Sequence, residues 1–186
     1  AAIVVDGIGP GFATLVARDS FWRSLWTSLG IASASAVLTL LLGLALAAGR
    51  AASERRAVKT ALGAPAYAYL AVPAVVLSLG FFLMARNAGI NPTLAAPVVV
   101  VLANTLLALP YAVSTLGPPL DAIAARRGKL IRSLGLSGWR QFLAVEWPLI
   151  AGEVGVVAAL AFCFSMGDLG VISLFGTEDF ATLPLL

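Results

Sequence analysis

Few side chains in this 186-residue chain could do chemistry, and their types exclude most of it. There is no histidine, and the one cysteine, Cys163, sits inside an apolar stretch. A single thiol builds neither a disulfide nor a metal site, so Cys163 reads as a small packing residue. No His, Cys, Asp or Glu constellation is spaced for nucleophilic, acid–base or metal chemistry, so no catalytic residue and no metal ligand is expected. The glycine-rich Gly7-Ile8-Gly9-Pro10-Gly11 has no βαβ context and reads as a turn rather than a phosphate loop.

What remains is of two kinds: isolated polar groups in apolar surroundings, and one basic amphipathic stretch. Glu153 and Asp168 are acids inside or beside apolar runs, where charge is costly and often functional. Asn104, Tyr111 and Ser114 are weaker candidates for lining a translocation path. Residues 121–148 carry Ile131, Leu134, Leu136, Trp139, Phe142 and Val145 with basic residues between them. Gly135 and Gly138 interrupt the pattern, as where two short helices meet at a turn. The pattern fits a basic helix lying on lipid headgroups and a docking element for a partner equally well.

The elements that must position these groups are membrane spans. The chain is 60% hydrophobic and 11% charged, against about 25% charged for a soluble domain. Uncharged runs of 26, 26 and 34 residues cover 24–49, 60–85 and 87–120. About 20 residues suffice for a helix to cross a hydrocarbon core of about 30 Å. Spans are therefore predicted near 25–48, 65–85, 93–116 and 147–167, the fourth interrupted only by Glu153. The class is an all-α, polytopic integral membrane bundle with about four full spans plus stubs. Residues 1–186 form a single domain. Ala32-Ser33-Ala34-Ser35-Ala36 is a small-residue stripe suited to close helix contact. Pro73, Pro97 and Pro110 are expected to kink their spans, and Pro118-Pro119 to end the third. Phe21, Trp22 and Trp26 form an aromatic group at the start of the first.

Basic residues orient the bundle. Nine of the 12 Lys and Arg lie in 50–59 and 126–140, and only Arg18, Arg23 and Arg86 lie in the opposite segments. The positive-inside rule places 50–59 and 121–146 in the cytoplasm. Glu153 then lies about one turn inside that edge, within reach of headgroups or Arg132, while Asp168 lies near the outer end in a Gly-flanked turn. The pI of 9.5 is accounted for by the membrane surface, and no nucleic-acid partner is expected. Ala1 to Val5 reads as the tail of an apolar helix and Leu183 to Leu186 as the start of another, so a longer chain is expected.

Within the basic stretch, Ser133-Leu134-Gly135-Leu136-Ser137-Gly138-Trp139-Arg140, followed by Val145-Glu146-Trp147-Pro148, resembles the cytoplasmic EAA loop of ABC importer permeases. The match is Gly-x9-φ-x-φ-Pro from Gly135 to Pro148; the opening triplet departs, being Lys129-Leu130-Ile131. Ser165-Met166-Gly167-Asp168-Leu169-Gly170, with Phe180-Ala181-Thr182-Leu183-Pro184, is similar to the thiamine-importing branch of that family. Ala2 to Gly7 and the stretch from Phe21 to Leu29 look like the second half of such permeases.

The resemblance implies the type I importer (MetI-like) fold in the bacterial inner membrane. It implies a cytoplasmic ATPase dimer as partner, a periplasmic substrate-binding protein, and a remaining permease half. ATP would bind the partner and no cofactor this chain. The coupling residues would be Ser133, Leu134, Gly135, Leu136, Ser137, Gly138, Trp139, Arg140 and Pro148, with 133–140 as a short helix and Leu134, Leu136 and Trp139 as anchors. The substrate would be thiamine or its phosphate esters. Tyr111, Phe162, Phe164 and Phe175 could offer it aromatic faces. Ferric-iron permeases share a similar Gly-acid-φ-Gly turn and stand as the alternative, alongside a channel or secondary transporter without an ATPase. An acid at Asp168 would suit a cationic substrate, but similar oxyanion permeases also carry one there, which implies a structural or gating role.

Overall fold

The uncharged run after Arg23 becomes the middle of one continuous helix, α1 (Asp19–Ala52). The structure is a computed structural model and describes residues 18–53, 55–68 and 73–168. Five further helices follow: α2 (Arg56–Ala68), α3 (Ala74–Asn87), α4 (Pro92–Ser133), α5 (Gly138–Gln141) and α6 (Trp147–Met166), with a π-helical stretch, Phe142–Glu146, joining the last two. The opening glycine turn, Phe175 and the Phe180–Pro184 motif lie outside the described residues.

The bundle is built on α1, α4 and α6. In α1 the buried positions are Ser24, Ser28, Ile31, Ala32, Ser35, Ala36, Thr39, Gly43 and Ala47, a stripe at helical spacing made almost wholly of small side chains. The opposite face, with Val37 and Leu41 exposed, is equally apolar, as expected where the outer solvent is lipid. The small stripe allows close approach. A Cβ built on Gly43 would lie 2.7 Å from the Cβ of Ala112 on α4. Such contact supplies the dispersion that holds helices together in lipid, where apolar burial gives no drive.

Below this contact Ala47, Leu116, Leu120, Ile150, Val154 and Val157 close a three-helix core. On the other side, Phe81 and Phe82 of α3 pack against Ile31, Ala96, Val99 and Val100. Helix α3 ends in a left-handed Gly89 (φ 73°), with Ile90 N–H reaching back to Ala85 O at 3.0 Å, a glycine-capped helix stop.

Three described helical stretches are long and apolar enough to cross a membrane: Asp19–Ala52, Ala95–Ile131 and Gly138–Met166. The predicted second span is described only in part, by α2 and by α3 with Pro73 at its N-cap; residues 69–72 lie outside the described residues. Proline has no N–H to donate into a helix, which suits the first position better than the middle.

The third span departs from expectation, because Pro118-Pro119 do not end it. Helix α4 runs 42 residues and contains Pro97, Pro110, Pro118 and Pro119. Its length is about 63 Å, twice a hydrocarbon core. The prolines forfeit backbone bonds, but Leu116, Gly117 and Leu120 around them are buried against neighbouring helices. Tertiary packing there outweighs a local cost of about 3 kcal/mol per proline.

Candidate functional site

The Gly135 turn is set by backbone chemistry. Helix α4 finishes at Ser133, and Leu136 N–H bonds Ile131 O at 3.1 Å across Gly135, whose φ is +66°. This is a helix stop that needs a left-handed residue, the role for which glycine is suited. Ser137 is extended, Gly138 is again left-handed (φ 57°), and the single turn of α5 begins there. The expected short helix over 133–140 is therefore the end of a long helix, a tight turn and the start of another.

The turn leaves two large apolar side chains in the open: Leu134 is 64% exposed and Trp139 70%. Trp139 stacks on Phe142 (centroids 5.2 Å, 23°), and Phe142 meets Trp147 at 6.0 Å. The indole is thus held from behind while its outer face stays free. Leu136, expected as a third anchor, instead turns back onto the three-helix core with Phe142 and Val145. Ser133, Ser137, Gly138 and Arg140 are exposed around the tip, and the Ser133 hydroxyl donates to Leu130 O at 2.8 Å. Gln141 Nε2 donates to Glu146 Oε1 at 2.7 Å across the π-helical stretch, and Pro148 sits in the first turn of α6, directly after that stretch. Beside the turn, Leu41, Leu44 and Ala48 of α1 and Trp139, Phe142 and Trp147 line an apolar groove of ≈ 650 Å³.

The proposed path residues separate into two groups. Asn104 is 1% exposed, and its Nδ2 donates to Ser165 Oγ at 2.9 Å. Ser165 Oγ is 3.4 Å from Ser35 Oγ, and Thr105 Oγ1 lies 3.5 Å from Ser35 O. This buried seam ties α1, α4 and α6 together, so Asn104 faces helices rather than an open path. Tyr111 is 44% exposed, with its ring 5.1 Å from that of Phe164. Ser114 is exposed too, and its hydroxyl donates to Tyr111 O at 3.0 Å. Asp168 follows α6 directly and is half-buried, as is Glu153. Cys163 is exposed on α6, opposite the buried stripe of Ile150, Val154, Val157, Ala161 and Ser165, and so does not pack inside the bundle as expected. No group of His, Cys, Asp or Glu able to hold a metal exists among the described residues.

Two arrangements had no forecast. One is the seam itself: the sequence places Asn104 on a path, Ser35 in a helix-contact stripe and Ser165 in a motif, and nothing in their spacing joins them. The other is the ion pair of Arg50 and Asp121 at 2.7 Å, which joins the last turn of α1 to the interior of α4 over Gly117. Its one sequence signal is an acid standing alone at the start of a basic segment.

Comparison with known proteins gives the resemblance a measure. The chain is 34% identical over 186 residues to the thiamine transport system permease protein ThiP of Brucella abortus (strain 2308), covering 100% of this chain and 34% of that protein. The ThiP of Escherichia coli (strain K12) is 36% identical, with 98% of this chain and 34% of the relative covered. The molybdenum transport system permease protein ModB of Azotobacter vinelandii is 29% identical over 163 residues, 80% of this chain and 70% of the relative. No protein-family model matches. The chain spans about a third of the length of the thiamine permeases it matches, and it resembles them from end to end. It is a multi-pass, all-helical membrane protein.

Proposed function

We propose that this chain forms part of the membrane-spanning permease of an ATP-driven importer in the bacterial inner membrane, with thiamine or its phosphate esters as solute. The observation that carries this reading is the end-to-end similarity to permeases named for thiamine transport, at higher identity than to the molybdenum permease. The geometry supports the coupling half of it. A turn built on Gly135 and Gly138 presents Leu134 and Trp139 outward at the basic end of the bundle, directly after the 42-residue α4.

In this reading the chain does no chemistry itself. A cytoplasmic ATPase dimer receives the Leu134–Arg140 turn in a groove, with Trp139 as the buried aromatic anchor. When the dimer closes, the turn moves as a body, and α4 carries the displacement along its length into the packed α1–α4–α6 core. An outer binding protein delivers the solute. Tyr111 and Phe164 offer it aromatic faces, suited to weak, transient cation–π contact.

The test is uptake by vesicles containing the full-length permease with its ATPase and binding protein. ATP-dependent accumulation of thiamine that excess molybdate leaves unchanged is the expected result. Molybdate uptake without thiamine uptake would overturn the substrate, and thiamine uptake without ATP would overturn the coupling.

A further inference from the structure

On the flank of α4, nearly two turns beyond the last uncharged stretch, two arginines border an apolar cleft. Arg126 and Arg127 line an opening of ≈ 200 Å³ together with Pro119, Ala122, Ile123 and Leu149. Both arginines are exposed. Helical side chains lean toward the helix N-terminus, so these guanidinium groups reach back over Ala122 and Ile123 toward the membrane.

The depth of the pair follows from Arg50 and Asp121, whose charges meet over Gly117 and mark where α4 leaves the hydrocarbon. The uncharged run ends at Leu120, and Arg126 follows six residues later, about 9 Å further along the axis. A headgroup layer is about 5–7 Å thick on each side of the hydrocarbon core. The leaning arginines therefore stand at phosphate level, while Pro119, Ile123 and Leu149 face the start of the acyl region. Positive charge above and an apolar floor below match the two ends of one amphiphile.

We infer that Arg126, Arg127 and the Pro119–Ile123–Leu149 cleft form a binding site for an anionic phospholipid of the surrounding bilayer. The guanidinium pair takes the phosphate, and the cleft between α4 and α6 takes the glycerol end of the tails. The site is separate from the Leu134–Trp139 turn, which lies a further two turns along and beyond the headgroup layer. It needs only that the chain spans a membrane and does not depend on the transported solute.

The full-length permease, extracted from vesicles of equal phosphatidylglycerol and phosphatidylcholine, would be examined by native mass spectrometry for retained lipid. Wild type should retain phosphatidylglycerol, and Arg126→Gln/Arg127→Gln should lower that retention roughly tenfold to thirtyfold. Arg55→Gln/Lys59→Gln removes as many charges from the same end, away from the cleft, and should leave retention unchanged. Arg126, Arg127 and Arg55 are exposed and Lys59 is half-buried, and a melting curve confirms that each variant is folded. Equal retention by wild type and the Arg126/Arg127 variant would overturn the site. So would equal retention of the two lipids, displacement of lipid by inorganic phosphate at physiological strength, or loss of ATPase association in place of lipid loss.

Discussion

Arg50 Nη2 and Asp121 Oδ2 lie 2.7 Å apart, although 71 residues separate them in the chain. The guanidinium rests on Gly117, where an added Cβ would come within 3.2 Å of Nη2. The pair thus joins the last turn of α1 to α4 just past Pro118-Pro119. It ties the two helices where α4 has lost backbone hydrogen bonds to its prolines.

Because the side chains keep 26% and 34% of their exposure, this bridge is partly solvent-screened. A double-mutant cycle with Arg50→Ala and Asp121→Asn should return a coupling of about 0.2–1 kcal/mol, smaller in high salt. Gly117→Leu should remove most of that coupling by displacing the guanidinium. Thermal unfolding of the full-length permease in detergent measures all three. Purely additive effects would mean that the two groups do not interact.

The Gly43–Ala112 contact predicts a size limit. Gly43→Leu should destabilise by about 1–3 kcal/mol through overpacking, since the obstacle is a fixed Cβ and not a flexible chain end. Gly43→Ala should cost less, and Ala112→Gly should recover part of the loss. Failure of that rescue would place the tight spot elsewhere.

The buried seam predicts modest couplings. Asn104→Ala with Ser165→Ala should couple by about 0.6 kcal/mol and by no more than about 1.7. Thr39 is fully buried and its Oγ1 has no hydrogen-bond partner among the described residues. Thr39→Val should therefore be neutral or stabilising, because it removes an unsatisfied hydroxyl while keeping its shape. A loss above 1 kcal/mol at Thr39 on an unfolding curve would show that the hydroxyl is bonded after all.

At the exposed turn, Gly135→Ala should cost about 1–2 kcal/mol, since an L-residue at φ +66° meets its own carbonyl. Gly135→Pro should leave membrane insertion intact and abolish transport. Trp139→Ala should weaken ATPase binding by about 2 kcal/mol, close to thirtyfold, with little effect on folding. Binding of the isolated ATPase to immobilised permease separates the two effects. Wild-type affinity in Trp139→Ala would remove the anchor role.

What sequence alone determined here is whatever depends on neighbours along the chain. Long uncharged runs specify spans because lipid leaves the backbone no other partner. Gly135 marks a helix end because a left-handed residue is needed within a few positions of Ile131. Tertiary structure decided what depends on which helices meet. Pro118-Pro119 read locally as a stop, yet packing against α1 and α6 carries α4 through them. Leu134 and Leu136 look alike as hydrophobic letters; the direction of one turn exposes the first and folds the second onto the core. Arg50 finds Asp121, and Asn104 finds Ser165, across 71 and 61 residues. No local pattern encodes such pairs, because the register of parallel α1 and α4 comes from the fit of small side chains such as Gly43 against Ala112.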